Sequence, residues 1–257
     1  MFETHHRQYP TTGGNISIVV GESTLPAYWV YPDSGGKHPG IVFLPSEQGV
    51  TPTVRAWVRR IAEIGFIVLI PDFFNGSHAP TAADVAALRV GDSPVFSWGF
   101  TAAREALETN MRCTRKIGVV GWQLGGELAF QAVVKSPGLR AAVIISGNPQ
   151  GALPILPQNE TPLLAFYGDA DEAISPPILN EFSAAIQDSP GRERMFVYPG
   201  VGGAFMDDTS PDYHEAYTAK TWTRMLEFLV THLEATPRPV MAIIDEDGDE
   251  DDDDRNE

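Results

Sequence analysis

The sequence predicts a single α/β domain, with a mostly parallel, twisted sheet, helices on both faces and an antiparallel hairpin at its N-terminal edge. Two observations favour this architecture. Short continuous apolar runs, typical of buried parallel strands, alternate with segments of helical periodicity along the chain. No linker interrupts residues 1–235, which we therefore interpret as one domain. The hydrophobic content of 43% is ample for its core.

The first half of the chain predicts a hairpin followed by a crossover unit. The hairpin strands, 16–20 and 26–31, are joined by a turn at Gly21 and Glu22. The elements that follow are a strand at 40–44, a helix at 54–64 and a strand at 66–70. Strand, helix and strand in this order are typical of a right-handed crossover between parallel strands.

The second half of the chain continues the alternation. The predicted elements are helices at 96–111, 127–135, 177–187 and 213–233, and strands at 117–120, 141–145, 163–167 and 194–198. Residues 236–257 differ, because a Pro-containing linker leads into an acidic low-complexity run that cannot bury apolar surface. We predict a disordered tail there.

Composition excludes several classes of partner. The net charge is -16, but residues 245–257 carry ten acidic side chains and one arginine, so the rest of the chain carries -7. An acidic balance disfavours nucleic acid, and the absence of an apolar run near 18 residues argues against a membrane span. The single cysteine, Cys113, excludes an internal disulfide and a cysteine-based metal site. The polar first ten residues do not resemble a signal peptide, so we expect a cytoplasmic setting.

The segment 121–126, Gly-Trp-Gln-Leu-Gly-Gly, has the layout of a nucleophile elbow without a nucleophile. It follows a predicted strand and opens a predicted helix, as the elbow of a hydrolase does. The central residue is Gln123, whose amide cannot attack a carbonyl carbon.

Four further segments carry a resemblance that covers residues 10–234. They are Pro39-Gly40-Ile41-Val42-Phe43-Leu44 with Glu47, the run from Ile64 to Phe74, Tyr167-Gly168-Asp169-Ala170-Asp171, and the run from Tyr198 to Phe205. Together with the elbow, they resemble the dienelactone hydrolase family of α/β-hydrolases. The resemblance implies the α/β-hydrolase fold, hydrolysis of carboxylic esters or lactones, and no cofactor or metal.

The resemblance assigns a role to each matching position. Asp171 matches the acid of the catalytic triad, and Glu47 matches a carboxylate that lies against the resting thiol. Gln123 stands at the position of the cysteine, and Gly203 stands at the position of the histidine. Backbone N–H groups of Leu124 and Gln48 would form the oxyanion hole. A family arginine that binds the substrate carboxylate has no counterpart in residues 75–78.

Three functions follow from this pattern. The first is a catalytically silent family member whose pocket binds a small ester, lactone or carboxylate, with a hydrogen bond from Gln123 to Glu47. The second is an active hydrolase in which Glu47 or Asp171 activates a water. The third is an interaction protein whose acidic tail, 245–257, docks a basic partner.

Other residues could in principle replace the missing catalytic groups. His78 and His214 are candidate bases, and Ser46 and Ser146 are candidate nucleophiles, although each is more typical of a loop, turn or helix end. The remaining histidines, expected in exposed loops or termini, are His5, His6, His38 and His232.

Overall fold

In the computed structural model, which describes residues 8–76, 81–89, 93–187 and 194–236, eight strands form one sheet. The strands are β1 (Thr11–Val20), β2 (Ser23–Pro32), β3 (His38–Leu44), β4 (Ile67–Pro71), β5 (Cys113–Trp122), β6 (Ala141–Ile145), β7 (Leu163–Gly168) and β8 (Arg194–Tyr198). Their order across the sheet is β1-β2-β4-β3-β5-β6-β7-β8. The pairs β1–β2 and β2–β4 are antiparallel, and all others are parallel. The predicted mostly parallel sheet with an N-terminal antiparallel hairpin is confirmed.

Helices pack on both faces of the sheet, as predicted. They are α1 (Pro52–Ile64), α2 (Ala82–Arg89), α3 (Pro94–Thr109), α4 (Leu124–Lys135), α5 (Pro176–Gln187) and α6 (Glu215–Leu233). The apolar faces of α1 and α6 form one core with the sheet, whereas α2 to α5 form the other. None of these described helices is long and apolar enough to cross a membrane.

Helix α2 is absent from the sequence-based prediction. Leu88 is its only buried residue, so the segment has no apolar stripe of helical period. Apolar periodicity, which reflects burial, therefore does not predict this helix.

The prediction that His38 is an exposed loop residue is wrong. His38 begins β3 and is buried, with Nδ1 3.0 Å from the Gly65 carbonyl oxygen and Nε2 2.7 Å from Ser34 Oγ. Burial lowers the pKa of this imidazole, which favours its neutral form. The error at His38 arises because β3 begins before its continuous apolar run. His232 lies within α6 and is partly buried, so it is not an exposed loop or terminal residue either. His5 and His6 lie outside the described residues.

The parallel strands bring five predicted or weighed residues to one edge of the sheet. Parallel strands β3, β5, β6, β7 and β8 share the direction of their carboxyl ends. The loops that follow them carry Glu47, Gln123, Ser146, Asp171 and Gly203. Ligand sites of open α/β sheets form at this edge.

The turn at the end of β5 is wedged between its neighbours. A Cβ on Gly121 would overlap the Gly125 carbonyl, and a Cβ on Gly125 would overlap the Leu44 carbonyl at the end of β3. On the other side, a Cβ on Gly126 would lie 2.6 Å from Gly147 Cα, next to the end of β6. Helix α4 can begin at this position only because these residues have no side chain.

This packing predicts that Gly125→Ala lowers the free energy of unfolding by about 3 kcal/mol or more, because backbone must move to admit the methyl group. The matched control is Gly151→Ala, since nothing lies within 4 Å of a Cβ built there. We expect the control to leave the stability unchanged or to raise it by less than about 1 kcal/mol. Urea unfolding of both variants measures the difference, and equal effects would contradict the steric explanation.

Candidate functional site

A cavity of about 490 Å³ lies at the carboxyl edge of the sheet. Its walls are formed by Glu47, Arg89, Gln123, Leu124, Glu127, Ser146, Asn148, Ala170, Asp171, Glu172, Ala173, Ile174, Gly202, Gly203, Ala204 and Asp212. Five of the six residues that the sequence singled out are therefore brought together: Glu47, Gln123, Leu124, Asp171 and Gly203. The sixth, Gln48, is not among the described wall residues, and its N–H donates to Ser46 Oγ at 3.4 Å.

Gln123 has the backbone geometry of a nucleophile elbow. Its φ of 52° and ψ of -113° lie in a region that side-chain-bearing residues rarely adopt. Its N–H donates to the Ile145 carbonyl at 2.7 Å, which ties the turn to the end of β6. Leu124 is the first residue of α4, so its N–H has no acceptor within the helix. The residue at the centre of this turn, where a nucleophile elbow carries its nucleophile, has an amide side chain.

The hypothesised hydrogen bond between Gln123 and Glu47 is not found. Both side chains line the cavity, but no hydrogen bond joins them in the part of the chain that the structure describes. The former nucleophile position is therefore not closed by a Gln123–Glu47 pair.

The Asp171 carboxylate lies against Gly203, and these are the two residues to which the resemblance assigns the acid and base positions. A Cβ on Gly203 would overlap a carboxylate oxygen of Asp171 and would lie 3.0 Å from its Cγ. The Asp171 carboxylate also accepts a hydrogen bond from the Ala173 N–H at 2.9 Å. A side chain at position 203 would therefore require the Asp171 carboxylate to move.

Burial and a second carboxylate act on Asp171. Burial raises the pKa of the Asp171 carboxyl most, and the negative charge of Asp212 raises it further, whereas the Ala173 N–H opposes the change. Asp212 comes from the loop before α6 and lies against Gly202, where a Cβ would overlap its carboxylate. Two neighbouring glycines thus leave room for two neighbouring carboxylates.

The cavity wall also carries an ion pair. Arg89 Nε lies 3.0 Å from Glu127 Oε2. Burial raises the pKa of Glu127, the charge of Arg89 opposes this, and the charge of Glu47 adds to it. The described walls therefore hold five carboxylates and one guanidinium, which is already paired.

Ser146 is the most unusual polar residue in the cavity wall. It follows β6 with a φ of 51°, its N–H donates to the Phe166 carbonyl at 2.9 Å, and its side chain is 6% exposed. Its Oγ has no hydrogen-bond partner among the described residues. No base in the described part of the chain accepts its proton, so nothing described there activates the hydroxyl as a nucleophile. Ser46 is also buried, and its Oγ accepts from the Gln48 N–H.

Neither His214 nor Cys113 is among the described residues that line the cavity. His214 is the N-cap residue of α6, and its Nδ1 accepts from the Tyr217 N–H at 3.4 Å. Cys113 begins β5, at the end of that strand opposite Gln123, and burial raises the pKa of its thiol. His78 lies outside the described residues. Within the described ranges, no three His, Cys, Asp or Glu side chains are grouped to hold a metal ion.

Sequence reasoning missed Arg89, Glu127, Glu172 and Asp212 as wall residues. Glu127 and Glu172 had a local signal, since one opens the predicted helix after the elbow and the other directly follows Asp171. Arg89 and Asp212 had no local signal in the sequence. Arg89 reaches the cavity from helix α2, which was not predicted, and Asp212 from the loop before α6, which is distant in sequence from the elbow.

The orphaned hydroxyl predicts that Ser146→Ala raises the free energy of unfolding by about 1 kcal/mol, because a buried polar atom without a partner is destabilising. The control is Ser93→Ala, since Ser93 is equally buried but its Oγ accepts from the Phe96 N–H at 3.2 Å as the N-cap of α3. We expect the control to lose about 1 kcal/mol. Chemical denaturation of both variants checks this, and a loss in Ser146→Ala would show that the hydroxyl has a partner in solution.

The raised pKa of Asp171 predicts a pH-dependent effect of Asp171→Asn. Folding makes Asp171 bind its proton more tightly, so this residue destabilises the native state once pH rises above the ordinary carboxyl range and through the raised pKa. The Asn variant should therefore be more stable than the wild type near neutral pH, and the gain should shrink in acid. In the control Asp84→Asn the sign is reversed, because hydrogen bonds from Thr81 lower the pKa of Asp84 and its contribution is lost as pH falls. Unfolding curves at several pH values test both, and parallel profiles for the two variants would contradict the assignment.

Known proteins share both the sequence pattern and the fold. Residues 25–233 match the model of the Dienelactone hydrolase family. The chain is 27% identical over 239 residues to a carboxymethylenebutenolidase of Rhodococcus opacus, which covers 87% of this chain and 94% of that one.

Solved structures agree in fold. A dienelactone hydrolase from Anabaena variabilis aligns with a TM-score of 0.65 at 21% identity, over 86% of this chain and 98% of that one. A dienelactone hydrolase-like promiscuous phosphotriesterase from metagenomic libraries aligns with a TM-score of 0.74 at 17% identity, over the same shares. From the extent of the family match, the chain belongs to the dienelactone hydrolase family of the α/β-hydrolase superfamily.

Proposed function

We propose that this family member binds a small molecule in the cavity beside Gln123 and does not hydrolyse it through a nucleophile, base and acid. The observation that supports the proposal is the position of Asp171, because one of its carboxylate oxygens would overlap a Cβ built at position 203. A histidine could stand at position 203 only if the Asp171 side chain moved.

The remaining chemistry supports the same conclusion. Acyl transfer by the family route needs a nucleophile at position 123 and a base within hydrogen-bond reach, and Gln123 and Gly203 supply neither. Loss of the nucleophile alone lowers kcat about a millionfold in a serine hydrolase. The Leu124 N–H can still polarise a carbonyl group, so an ester or lactone can be bound without being cleaved. A free carboxylate is a poorer ligand, because five acidic side chains line the walls.

A second function rests on the carboxylates themselves. A general base works best when its pKa lies near the working pH, and burial raises the pKa of Asp171 in that direction. Asp171 or the wall residue Glu47 would then activate a water for hydrolysis. The third function weighed from the sequence, docking through the acidic tail, concerns residues that lie outside the described ranges.

One assay separates binding from rerouted hydrolysis. We expect wild type to hydrolyse 4-nitrophenyl acetate and dihydrocoumarin no faster than Gln123→Ala, Glu47→Gln or Asp171→Asn, since no activated group is present to be removed. The rates are followed at high protein concentration by absorbance. The control is Glu22→Gln, in the exposed turn of the β1–β2 hairpin. Activity that falls in Glu47→Gln or Asp171→Asn, while Glu22→Gln retains it, would establish the second function instead.

A further inference from the structure

Helix α1 carries three arginines outside its buried face, and the chain has an acidic run of its own. We propose that the run 245–257 binds in cis along the outer face of α1, on the guanidinium groups of Arg55, Arg59 and Arg60. This inference goes beyond the proposed function, because these arginines are not among the described residues that line the cavity beside Gln123.

The first argument is the charge of α1. Its buried residues are all apolar, and Glu63, in its last turn, is its one acidic residue. Arg55 and Arg59 lie four residues apart, a spacing at which like charges on a helix repel each other. Within the described parts of the chain, neither of these two arginines forms an ion pair with a carboxylate. Carboxylates bound beside them would remove this repulsion.

The second argument is that aromatic side chains hold the guanidinium groups in place. The guanidinium carbon of Arg55 lies 4.8 Å from the centre of the Tyr28 ring, and Arg59 Nη2 donates to the Tyr28 hydroxyl at 3.4 Å. The guanidinium carbon of Arg60 lies 4.1 Å from the centre of the Trp222 ring, which belongs to α6. A neutral ring orients a guanidinium group without cancelling its charge. Side chains that are already positioned also lose less entropy when they bind a partner.

The third argument is where the described chain ends. The carbonyl oxygen of Thr236 accepts from the Tyr9 hydroxyl at 3.2 Å. A Cβ on Gly65, the residue that follows α1, would lie 3.4 Å from the same oxygen. Residue 236 therefore lies beside the carboxyl end of α1. The 13 residues of this helix span about 20 Å, whereas the chain from Thr236 to Asp245 can extend to about 30 Å. The acidic run can thus reach every arginine of α1.

The fourth argument concerns other anions. Residues 245–257 carry ten acidic side chains and one arginine, which gives the run a net charge of -9. A nucleic acid or an anionic membrane also attracts arginines, but a chain with a net charge of -16 repels both at a distance. The run is tethered beside α1, and a short linker gives an effective concentration of the order of millimolar. The outer face of α1 therefore meets the acidic run of its own chain before it meets another anion.

Paramagnetic relaxation detects this contact in the full chain. A nitroxide is attached to the variant Asn256→Cys, near the end of the run, and the amide signals of isotope-labelled protein are compared before and after the nitroxide is reduced. Cys113 is buried and burial raises the pKa of its thiol, so the nitroxide reagent reacts with the new cysteine. The unsubstituted chain, treated with the same reagent, should show no loss of signal.

The effect of salt gives the expected result its sign. At low ionic strength we expect the amide signals of residues 55–60 to fall to about half or less, and at about 1 M salt, where the Debye length is about 3 Å, we expect them to recover. Recovery follows because the contact depends on opposite charges at the protein surface.

Charge variants locate the surface. Arg55→Gln combined with Arg59→Gln should remove most of the signal loss, because these side chains supply the positive charge. The control combines Arg104→Gln with Lys135→Gln, which makes the same charge change on α3 and α4, on the opposite face of the sheet. It should leave the signal loss unchanged.

A second variant tests the same contact from the side of the run. If circular dichroism shows that the α1 variant does not fold, Asp251→Asn, Asp252→Asn, Asp253→Asn and Asp254→Asn are combined instead. These changes leave the described residues untouched and should also remove most of the signal loss.

Several outcomes would overturn the inference. They are an absence of signal loss at low salt, a loss that persists at about 1 M salt, and a loss that the Arg104→Gln and Lys135→Gln control removes equally. A mixed sample, in which the isotope and the nitroxide are on different copies of the chain, detects binding between copies. An equal signal loss there would replace binding in cis by binding in trans. None of these outcomes depends on the cavity, so the hydrolysis assay tests the proposed function separately.

Discussion

The close contact of the elbow with both neighbouring strands is the constraint on which the site depends. Gly125 touches the end of β3 and Gly126 touches Gly147, two residues after β6, so the start of α4 is fixed against the sheet from both sides. This packing holds Gln123 in a strained conformation that a free chain would leave. The elbow is therefore maintained by steric fit between backbone segments, and its geometry does not require a nucleophile at its centre.

A second constraint links Asp171 and Gly203. The Asp171 carboxylate approaches Gly203 so closely that it would overlap a Cβ at this position. The same relation holds between Asp212 and Gly202. Glycine at positions 202 and 203 therefore has a steric effect, because it lets the two carboxylates approach each other and the cavity. The concentration of acidic groups at the site is possible because these glycines have no side chains. Burial of Asp171 and the charge of Asp212 both raise the pKa of the Asp171 carboxyl.

These two constraints explain why the fold does not depend on which side chains stand at the site. The sheet, the elbow and the cavity depend on backbone packing and on two apolar cores, neither of which involves the triad side chains. Catalysis depends on a few side chains at the carboxyl edge, and these can be replaced without disturbing the layers beneath. Family membership therefore specifies the architecture of this chain, whereas the residues at the site determine its activity.

The order of strands and helices, the parallel sheet and the elbow could be predicted from the sequence, because apolar periodicity and closely spaced glycines are local signals. The presence of Gln123 and Gly203 at the positions that the resemblance assigns to the nucleophile and the base was equally visible, since it depends on residue identity. Three features could not be predicted from the sequence. They are helix α2, the burial of His38, and the approach of Arg89 and Asp212 to the cavity. The orphaned oxygen of Ser146 and the contact of Asp171 with Gly203 also appear only in the folded chain. Local patterns determine which elements form, but distances between residues remote in sequence exist only after the sheet has assembled, and these distances decide the charge and shape of the site.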